Sequence, residues 1–475
     1  MEDTTAGTAE VGTLLEERIS VEDPGLEGLQ QENIRQLHSG PILRLLTQYA
    51  IPAMIASTAI SLYNIIDRIF IGHGVGAMAI AGLALTLPLM NMGVAFGVLV
   101  GMGGAALISI RMGQRKQHEA EQILGNTLLL NLALGIAYSV VCSILLDPIL
   151  RLTGASPETL PYARQFMQII LIGNVFTHLY FGMNFAMRSS GYPRGAMINV
   201  LQTVAINCLL APLFIFVFHW GIRGAALATV LAQTTGALFF FFHFLRRDST
   251  VRFYARNLRP SREIIVGIFS IGMSSFALML CVSMTALLFN VRIVRYGGDY
   301  AVGAFGIANT LVMFFVMVSV GMTQGMQPIV GYNYGAGQFQ RVKAVFAYTI
   351  VGTTAVMFAG FLLAELFPRA VASAFTSDAE LIKQTVRGLR LIVLMFMLDG
   401  FQMTTSIFFQ AIGKAKFSLL LTLSRQLIFL VPFLIVLPWF LGLNGVWLGE
   451  PAADLTAFLT TLFVLKRHFR RILPA

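Results

Sequence analysis

Twelve long apolar stretches constrain the fold of this chain more than any other feature. The 475-residue sequence is 56% hydrophobic and only 12% charged, a balance typical of proteins that cross a membrane many times. Each stretch is long enough to cross a hydrocarbon core of about 30 Å as a helix. We therefore predict an all-α polytopic membrane protein with twelve transmembrane helices, over residues 42–72, 77–110, 122–146, 161–187, 195–218, 221–245, 262–290, 300–331, 342–367, 384–411, 417–438 and 443–465.

The two halves of the sequence repeat each other. Residues 79–82 align with 301–304 at an offset of 222 residues, and glycines farther along the chain keep almost the same period. With six helices per half, both copies enter the membrane in the same direction, which predicts two six-helix lobes related by a parallel repeat, with the substrate site between them. The glycine pairs are Gly113 with Gly335, Gly191 with Gly413 and, at 221, Gly224 with Gly445.

Charge divides the chain further. Residues 1–40 hold nine acidic side chains and two arginines, without an apolar run long enough for a signal peptide, so we expect a disordered cytoplasmic tail. An arginine-rich break over residues 246–262 predicts a cytoplasmic linker between an N-terminal lobe, 41–245, and a C-terminal lobe, 263–475.

The basic residues also indicate an orientation. The C-terminal tail and the loops that follow even-numbered helices hold 19 Lys and Arg, against about seven in the other loops. By the positive-inside rule, we expect both termini to lie in the cytoplasm. Because the net charge of +10 belongs to these short loops, it does not indicate nucleic-acid binding.

Carboxylates inside apolar helices are the strongest functional candidates, because a charge at membrane depth is costly and usually faces a cavity on an ion or substrate pathway. Asp67 lies near the end of the first helix, where the alternative is an interfacial pair with Arg68. Asp399 lies in the tenth helix, where the alternative is a structural carboxylate held by Gln402 or Arg425.

Two further acids, Glu450 and Asp454, are four residues apart and therefore share one face of the twelfth helix. They fit a functional site in a cavity as well as a wet patch at the cytoplasmic surface. Through the repeat, Glu450 takes the place that Thr229 holds in the first half, so the two lobes need not share one ion chemistry.

Enzyme chemistry finds no support in the sequence. It contains no zinc-binding helix motif, no nucleophile elbow and no phosphate loop, and its three cysteines lie singly in apolar runs. We expect no catalytic residues and no cofactor, with transport driven by an ion gradient. Lone His178 and His219 are interpreted as packing residues, and a tentative substrate cavity is assigned to Tyr63, Gln327, Gln402, Met313 and Met317.

Several motifs resemble the multidrug and toxic compound extrusion (MATE) family. Residues 63–72 (YNIIDRIFIG) are similar to its first-helix signature and residues 327–336 (QPIVGYNYGA) to its eighth-helix segment. The resemblance implies a secondary antiporter of two six-helix lobes around a cleft, which exports organic compounds in exchange for Na⁺ or H⁺. Shorter matches lie at 188–191, 399–402 and 442–447.

The resemblance also implies a cation site in the first lobe, formed by Asp67, Asn207, Thr229 and a further amide or carboxylate at position 211. Here Ala211 removes that ligand, so a Na⁺ site at Asp67, Asn207 and Thr229 needs Asn64, backbone carbonyls or water to complete it. A protonated Asp67 needs fewer partners, which favours H⁺. In the second lobe only Asp399 matches the acids of other relatives, because residues 264–290 contain none; Glu450 is kept as a further ion-coupling candidate.

We therefore expect a monomeric efflux antiporter of the bacterial inner membrane, in contact with membrane lipid, for organic and mainly cationic, amphipathic compounds such as drugs. Two alternatives stay open. A lipid-linked saccharide flippase of the same superfamily would need a basic cleft for pyrophosphate, and an integral-membrane lipid-modifying enzyme would need a nucleophile or a metal cluster at membrane depth.

Overall fold

The structure is a computed structural model that describes residues 35–246 and 249–472, apart from the side chains of residues 64, 65, 77, 255, 299 and 470–472. Eleven helices in this part of the chain are long and apolar enough to cross a membrane, and a bent pair of helices makes a twelfth. This confirms the predicted all-α fold. The spans are α1 Ile42–Gly74, α2 Met78–Gly113, α3 Gln117–Ile144, α4 Leu160–Ser189, α5 Pro193–Val217, α6 Gly221–Leu245, α7 Arg262–Gly298, α8 Tyr300–Gly335, α9 Phe339–Leu366, α10 Ala379–Ile392 with Phe396–Ala411, α11 Ala415–Leu441 and α12 Leu443–Phe469.

The predicted repeat is visible in the backbone. A short helix outside the spans, Leu146–Leu152, recurs 222 residues later as Pro368–Ser373. Backbone positions with positive φ recur at the same spacing. A positive φ is a conformation that glycine adopts without a steric penalty. Both lobes therefore turn the chain at the same places: Gly76 and Gly298, Arg115 and Gly337, Gly191 and Gly413 and, at 221, Gly221 and Gly442.

Span α10 is broken, whereas the sequence predicts one continuous helix over 384–411. Its two segments meet at a bend of 49°. The first segment buries Thr385 and Leu389 but carries charged residues on its other side, so that side has to leave the hydrocarbon. Only the second segment, which contains Asp399, is apolar enough to lie deep in the lobe.

The two lobes meet tightly at one face, where α1 and α7 begin and α2 and α8 end; we call it the closed face. A Cβ atom added to Gly113 would lie 1.9 Å from the Tyr332 carbonyl oxygen, and one added to Gly335 would lie 2.1 Å from that of Ile110. Glycine is therefore required for this approach of α2 and α8. Because both pairs are related by the 222-residue repeat, the contact is nearly symmetric.

Polar contacts reinforce the closed face. Buried Arg188 of α4 donates hydrogen bonds to Asn184 in its own lobe and to Gln324 of α8 in the other. Arg341, just after α8, donates to the Gly40 carbonyl at 2.8 Å, before α1 begins. The expected disordered tail falls almost entirely outside the described residues, but residues 35–40 pack on the C-terminal lobe.

The linker packs on the N-terminal lobe. Asn126 of α3 donates to the Arg259 carbonyl at 3.2 Å and accepts from the Ser261 amide at 2.9 Å. The chain therefore still contacts the N-terminal lobe at residue 261, one residue before α7 begins.

Candidate functional site: two related pockets

The larger pocket lies inside the C-terminal lobe, among α7, α8, α10, α11 and α12, and has a volume of ≈ 210 Å³. Its lining includes the apolar residues Phe289, Phe305 and Met313. The Phe289 and Phe305 rings stack with centroids 4.9 Å apart. The lining also includes three carboxylates and one guanidinium, which lie together and form a charged wall.

That charged wall is centred on Arg425. Its Nε lies 3.1 Å from Asp399 Oδ1, and its Nη2 lies 3.3 Å from Glu450 Oε2 and 2.8 Å from Asp454 Oδ1. Asp399 and Asp454 are 6% and 3% exposed. With every group ionised, three negative charges face one positive charge. We call Asp399, Arg425, Glu450 and Asp454 the charged cluster.

The structure brings the candidate acids of the second lobe together in the charged cluster. Asp399 contacts Arg425, one of the two partners considered from the sequence, while Gln402 donates to the Leu421 carbonyl at 3.0 Å instead. Glu450 and Asp454 line the cavity. Sequence reasoning did not identify Arg425 as the centre of a site, although it is the one basic residue inside the apolar segment 417–438.

Arg425 lies in an irregular part of α11. Residues Ser424–Leu430 form a π-helical segment inside this span. Such segments are rare and often occur at functional sites, because they displace side chains from the regular helical positions.

The smaller pocket, in the N-terminal lobe, has a volume of ≈ 40 Å³. Three of its residues form a closed triangle of hydrogen bonds. The hydroxyls of Tyr63 and Thr229 share a bond of 3.2 Å, and the Asn207 amide donates to both, at 3.2 Å and 3.1 Å. The structure thus brings together Asn207 and Thr229, two residues of the implied cation site, and adds Tyr63.

Asp67 is not part of this triangle. It lies one helical turn beyond Tyr63, does not line the small pocket, and its Oδ1 is buried without a hydrogen-bond partner among the described residues. No hydrogen bond joins Asp67 to Asn207 or Thr229 in the described part of the chain. Ala211 is completely buried in the apolar core, and the side chain of Asn64 lies outside the described residues.

The five residues assigned to a substrate cavity from the sequence do not lie in one pocket. Met313 and Gln402 line the C-lobe cavity and Tyr63 lines the N-lobe pocket, whereas Met317 lines neither. Gln327 is buried, and its amide donates to the Met102 carbonyl of the other lobe at 3.4 Å. Gln327 therefore contributes to the contact between lobes. No group of three or more His, Cys, Asp or Glu suited to a metal ion occurs in the described ranges.

The two pockets occupy the same place in the repeat. Eight of the ten residues that line the N-lobe pocket have a counterpart in the C-lobe cavity. The charged cluster corresponds to uncharged residues, since Thr177, Thr203, Thr229 and Gln233 stand where Asp399, Arg425, Glu450 and Asp454 stand in the second copy. The eight lining pairs are Ile60 and Val282, Tyr63 and Thr285, Tyr180 and Gln402, Phe181 and Met403, Thr203 and Arg425, Val204 and Gln426, Thr229 and Glu450, and Gln233 and Asp454.

Twelve spans in two repeated lobes that meet at one face, each with an internal pocket, define a membrane transporter. The chain belongs to the MATE family: the MatE family model matches it twice, over residues 52–213 and 275–436, once in each lobe. The matches begin 223 residues apart, in agreement with the repeat.

Similar proteins agree with this assignment. The multidrug export protein MepA of Staphylococcus haemolyticus is 28% identical over 438 residues, covering 92% of this chain and 96% of the relative, and MepA of Staphylococcus aureus is 25% identical over 437. A solved outward-facing multidrug resistance MATE transporter is 27% identical with a TM-score of 0.87, covering 93% of this chain and 98% of its own. A solved MOP superfamily transporter from Pyrococcus furiosus is 26% identical with a TM-score of 0.87, and the match covers 93% of this chain and 98% of its own.

Proposed function

We propose that this protein is a plasma-membrane multidrug exporter that exchanges amphipathic organic cations for H⁺ or Na⁺ by alternating access. The names of the MepA relatives support drug export. The observation that carries the proposal is the charged cluster, because three carboxylates against one guanidinium favour a cationic partner. Antiport follows if the substrate cation and the coupling ion neutralise the same excess charge in turn.

Asp67 is the proposed coupling residue of the N-terminal lobe. A buried carboxylate oxygen without a hydrogen-bond donor favours a proton or an arriving cation. We propose that Asp67 shares the coupling ion with Asn207, Thr229 and Asn64, which it would reach after a change in the packing of this lobe. Because Ala211 supplies no ligand, a proton needs less rearrangement than Na⁺. Asp399 and Glu450 are the coupling candidates of the other lobe.

The proposed orientation follows from the loops. The closed face carries the loops after even-numbered helices, which are rich in Lys and Arg. If this face is cytoplasmic, both termini are inside and the structure is closed towards the cytoplasm. The similarity to a transporter solved in an outward-facing conformation supports this view. Transport would then require the helices at Gly113 and Gly335 to separate.

We further propose that one chain is the transporting unit, in direct contact with lipid, with residues 41–245 and 263–475 as the moving lobes and 246–262 as their linker. The flippase alternative is less compatible with the C-lobe cavity, because Arg425 is the one basic residue among the described residues that line it and already faces three carboxylates.

The test is transport of ethidium by purified protein in liposomes, driven by a pH gradient and, separately, by a Na⁺ gradient. We expect the pH gradient to drive uptake, and Asp67→Asn and Asp399→Asn each to lower the driven rate at least about tenfold at equal protein levels. Thr177→Val, at the position equivalent to Asp399, serves as the matched N-lobe control. Wild-type driven transport by both acid variants would rule out the coupling scheme.

A further inference from the structure

We infer that Arg425 is a tethered substitute for substrate: it occupies the C-lobe carboxylates until the positively charged group of an organic cation displaces it. The C-lobe cavity is then the subsite for that charged group, and Arg425 sets how tightly cations bind. This inference rests on the proposed function in one respect, the identity of the exported compounds as organic cations.

The first argument is charge. Arg425 contacts one oxygen of each carboxylate, namely Asp399 Oδ1, Glu450 Oε2 and Asp454 Oδ1. The second oxygens of Asp399 and Asp454 accept no hydrogen bond from the described residues, although both side chains are more than nine-tenths buried and line the cavity. Neither of these second oxygens is a fully buried atom without a partner, and both residues line the cavity, so a ligand in the cavity can reach them. An incoming cation therefore finds acceptors that Arg425 leaves unused.

The second argument is space. The cavity, ≈ 210 Å³, is smaller than the roughly 300–1,000 Å³ of pockets that enclose a whole drug-sized ligand. It fits a cationic group with the ring that bears it. The stacked Phe289 and Phe305 and the flexible Met313 offer an apolar and polarizable wall for such a ring.

The third argument is a route for displacement. The carboxylates differ in exposure, since the side chain of Glu450 is 26% exposed while those of Asp399 and Asp454 are 9% and 3%. Glu450 also makes the longest of the three contacts with Arg425, at 3.3 Å. Arg425 can thus move towards Glu450, on its π-helical segment, and release the two buried aspartates to the substrate without becoming unpaired.

The N-terminal lobe provides the internal comparison. Its equivalent positions, Thr177, Thr203, Thr229 and Gln233, carry no charge, and the pocket there is about a fifth of the size. It offers neither carboxylates for an organic cation nor a guanidinium to be displaced. The inference therefore assigns one such subsite to the described part of the chain.

The experiment measures equilibrium binding of ethidium by fluorescence to purified full-length protein in detergent, with no ion gradient. We expect Asp454→Asn to weaken ethidium binding at least about tenfold, since it removes the charge of a carboxylate that the substrate cation would contact in place of Arg425. Arg425→Gln is expected to tighten binding about tenfold, as for a competitor that occupies the site roughly nine-tenths of the time. Thr177→Val is the matched control and should change binding less than about twofold.

Unchanged or weaker ethidium binding by Arg425→Gln would overturn the inference, because the guanidinium would then not compete. If Arg425→Gln is not recovered folded, Arg425→Lys decides, since lysine keeps the charge with fewer donors and should bind ethidium about threefold tighter. If the lysine variant bound ethidium as tightly as the unchanged protein or less tightly, the inference would likewise be overturned. Because no gradient is present, failure of ion coupling leaves this result unaffected.

Discussion

The two lobes differ at four equivalent positions, which are charged in the C-terminal lobe and uncharged in the N-terminal lobe. In the C-terminal lobe these positions are the charged cluster, which lines part of a cavity of ≈ 210 Å³. In the N-terminal lobe they are three threonines and a glutamine, of which Thr203, Thr229 and Gln233 line a pocket of ≈ 40 Å³. The turn positions repeat, but the backbone differs locally, because α10 is broken where α4 is continuous and Arg425 lies on a π-helical segment where Thr203 lies in a regular helix. The two copies thus share their topology and differ in the charge of their pockets.

The comparison also separates two kinds of stability. Thr177 donates a hydrogen bond to Gln233, a neutral pair whose loss leaves no buried charge. Asp399 and Arg425, at 3.1 Å, are ions that need each other in a buried setting. Removing one partner of a buried ion pair is far more costly than removing a neutral hydrogen bond. The C-terminal lobe should therefore be the more sensitive one.

The largest expected effect follows from Arg425→Leu, which leaves three carboxylates without their cation. We expect destabilisation of about 3–5 kcal/mol, measured by thermal unfolding in detergent. The equivalent Thr203→Val should cost about 1 kcal/mol or less. Equal losses from the two variants would remove the energetic distinction between the lobes.

A second prediction concerns the closed face, where the lobes should behave alike. A Cβ on Gly103 would lie 2.1 Å from the Ile268 carbonyl oxygen, and one on the equivalent Gly325 would lie 2.6 Å from the Ala50 Cα. Alanine at either position should therefore cost about 1–3 kcal/mol and separate the lobes. The measurement is maleimide labelling of a cysteine placed at buried Ser109, with the three native cysteines replaced. Faster labelling in only one variant would contradict the symmetric contact.

The third prediction addresses the hydrogen-bonded triangle of the N-lobe pocket. Tyr63→Phe removes one hydroxyl but leaves Asn207 bonded to Thr229, so it should cost about 1 kcal/mol of stability. Asn207→Ala breaks both of the amide's bonds and should cost more. Thermal unfolding checks the order, and an Asn207→Ala protein as stable as Tyr63→Phe would show that the triangle does not act as a unit.

The smallest effect is expected at the surface of the N-terminal lobe. Arg164 and Asp147 form an ion pair of 3.4 Å with side chains 53% and 39% exposed. Because water and salt screen such pairs, Asp147→Asn should change stability by less than about 1 kcal/mol. A loss close to that of Arg425→Leu in the same unfolding assay would mean that burial is not what distinguishes the cluster.

The sequence alone determined the architecture. Twelve spans, two lobes and the offset of 222 residues follow from hydropathy and from glycine spacing, which are local properties of the chain. It also identified Asp67, Asp399 and Glu450 as ionisable groups in unfavourable surroundings. The break in α10 was missed because it depends on which side of the first segment meets lipid and which meets protein.

Only the tertiary structure decided what those groups contact. Arg425 and the three acids come from three helices, and the side chains meet because of how α10, α11 and α12 pack, which no spacing in the sequence encodes. Likewise, the packing of α1 leaves Asp67 outside the triangle that Tyr63 joins. Hydropathy places a residue at a depth in the membrane, whereas long-range contacts between helices determine its partner.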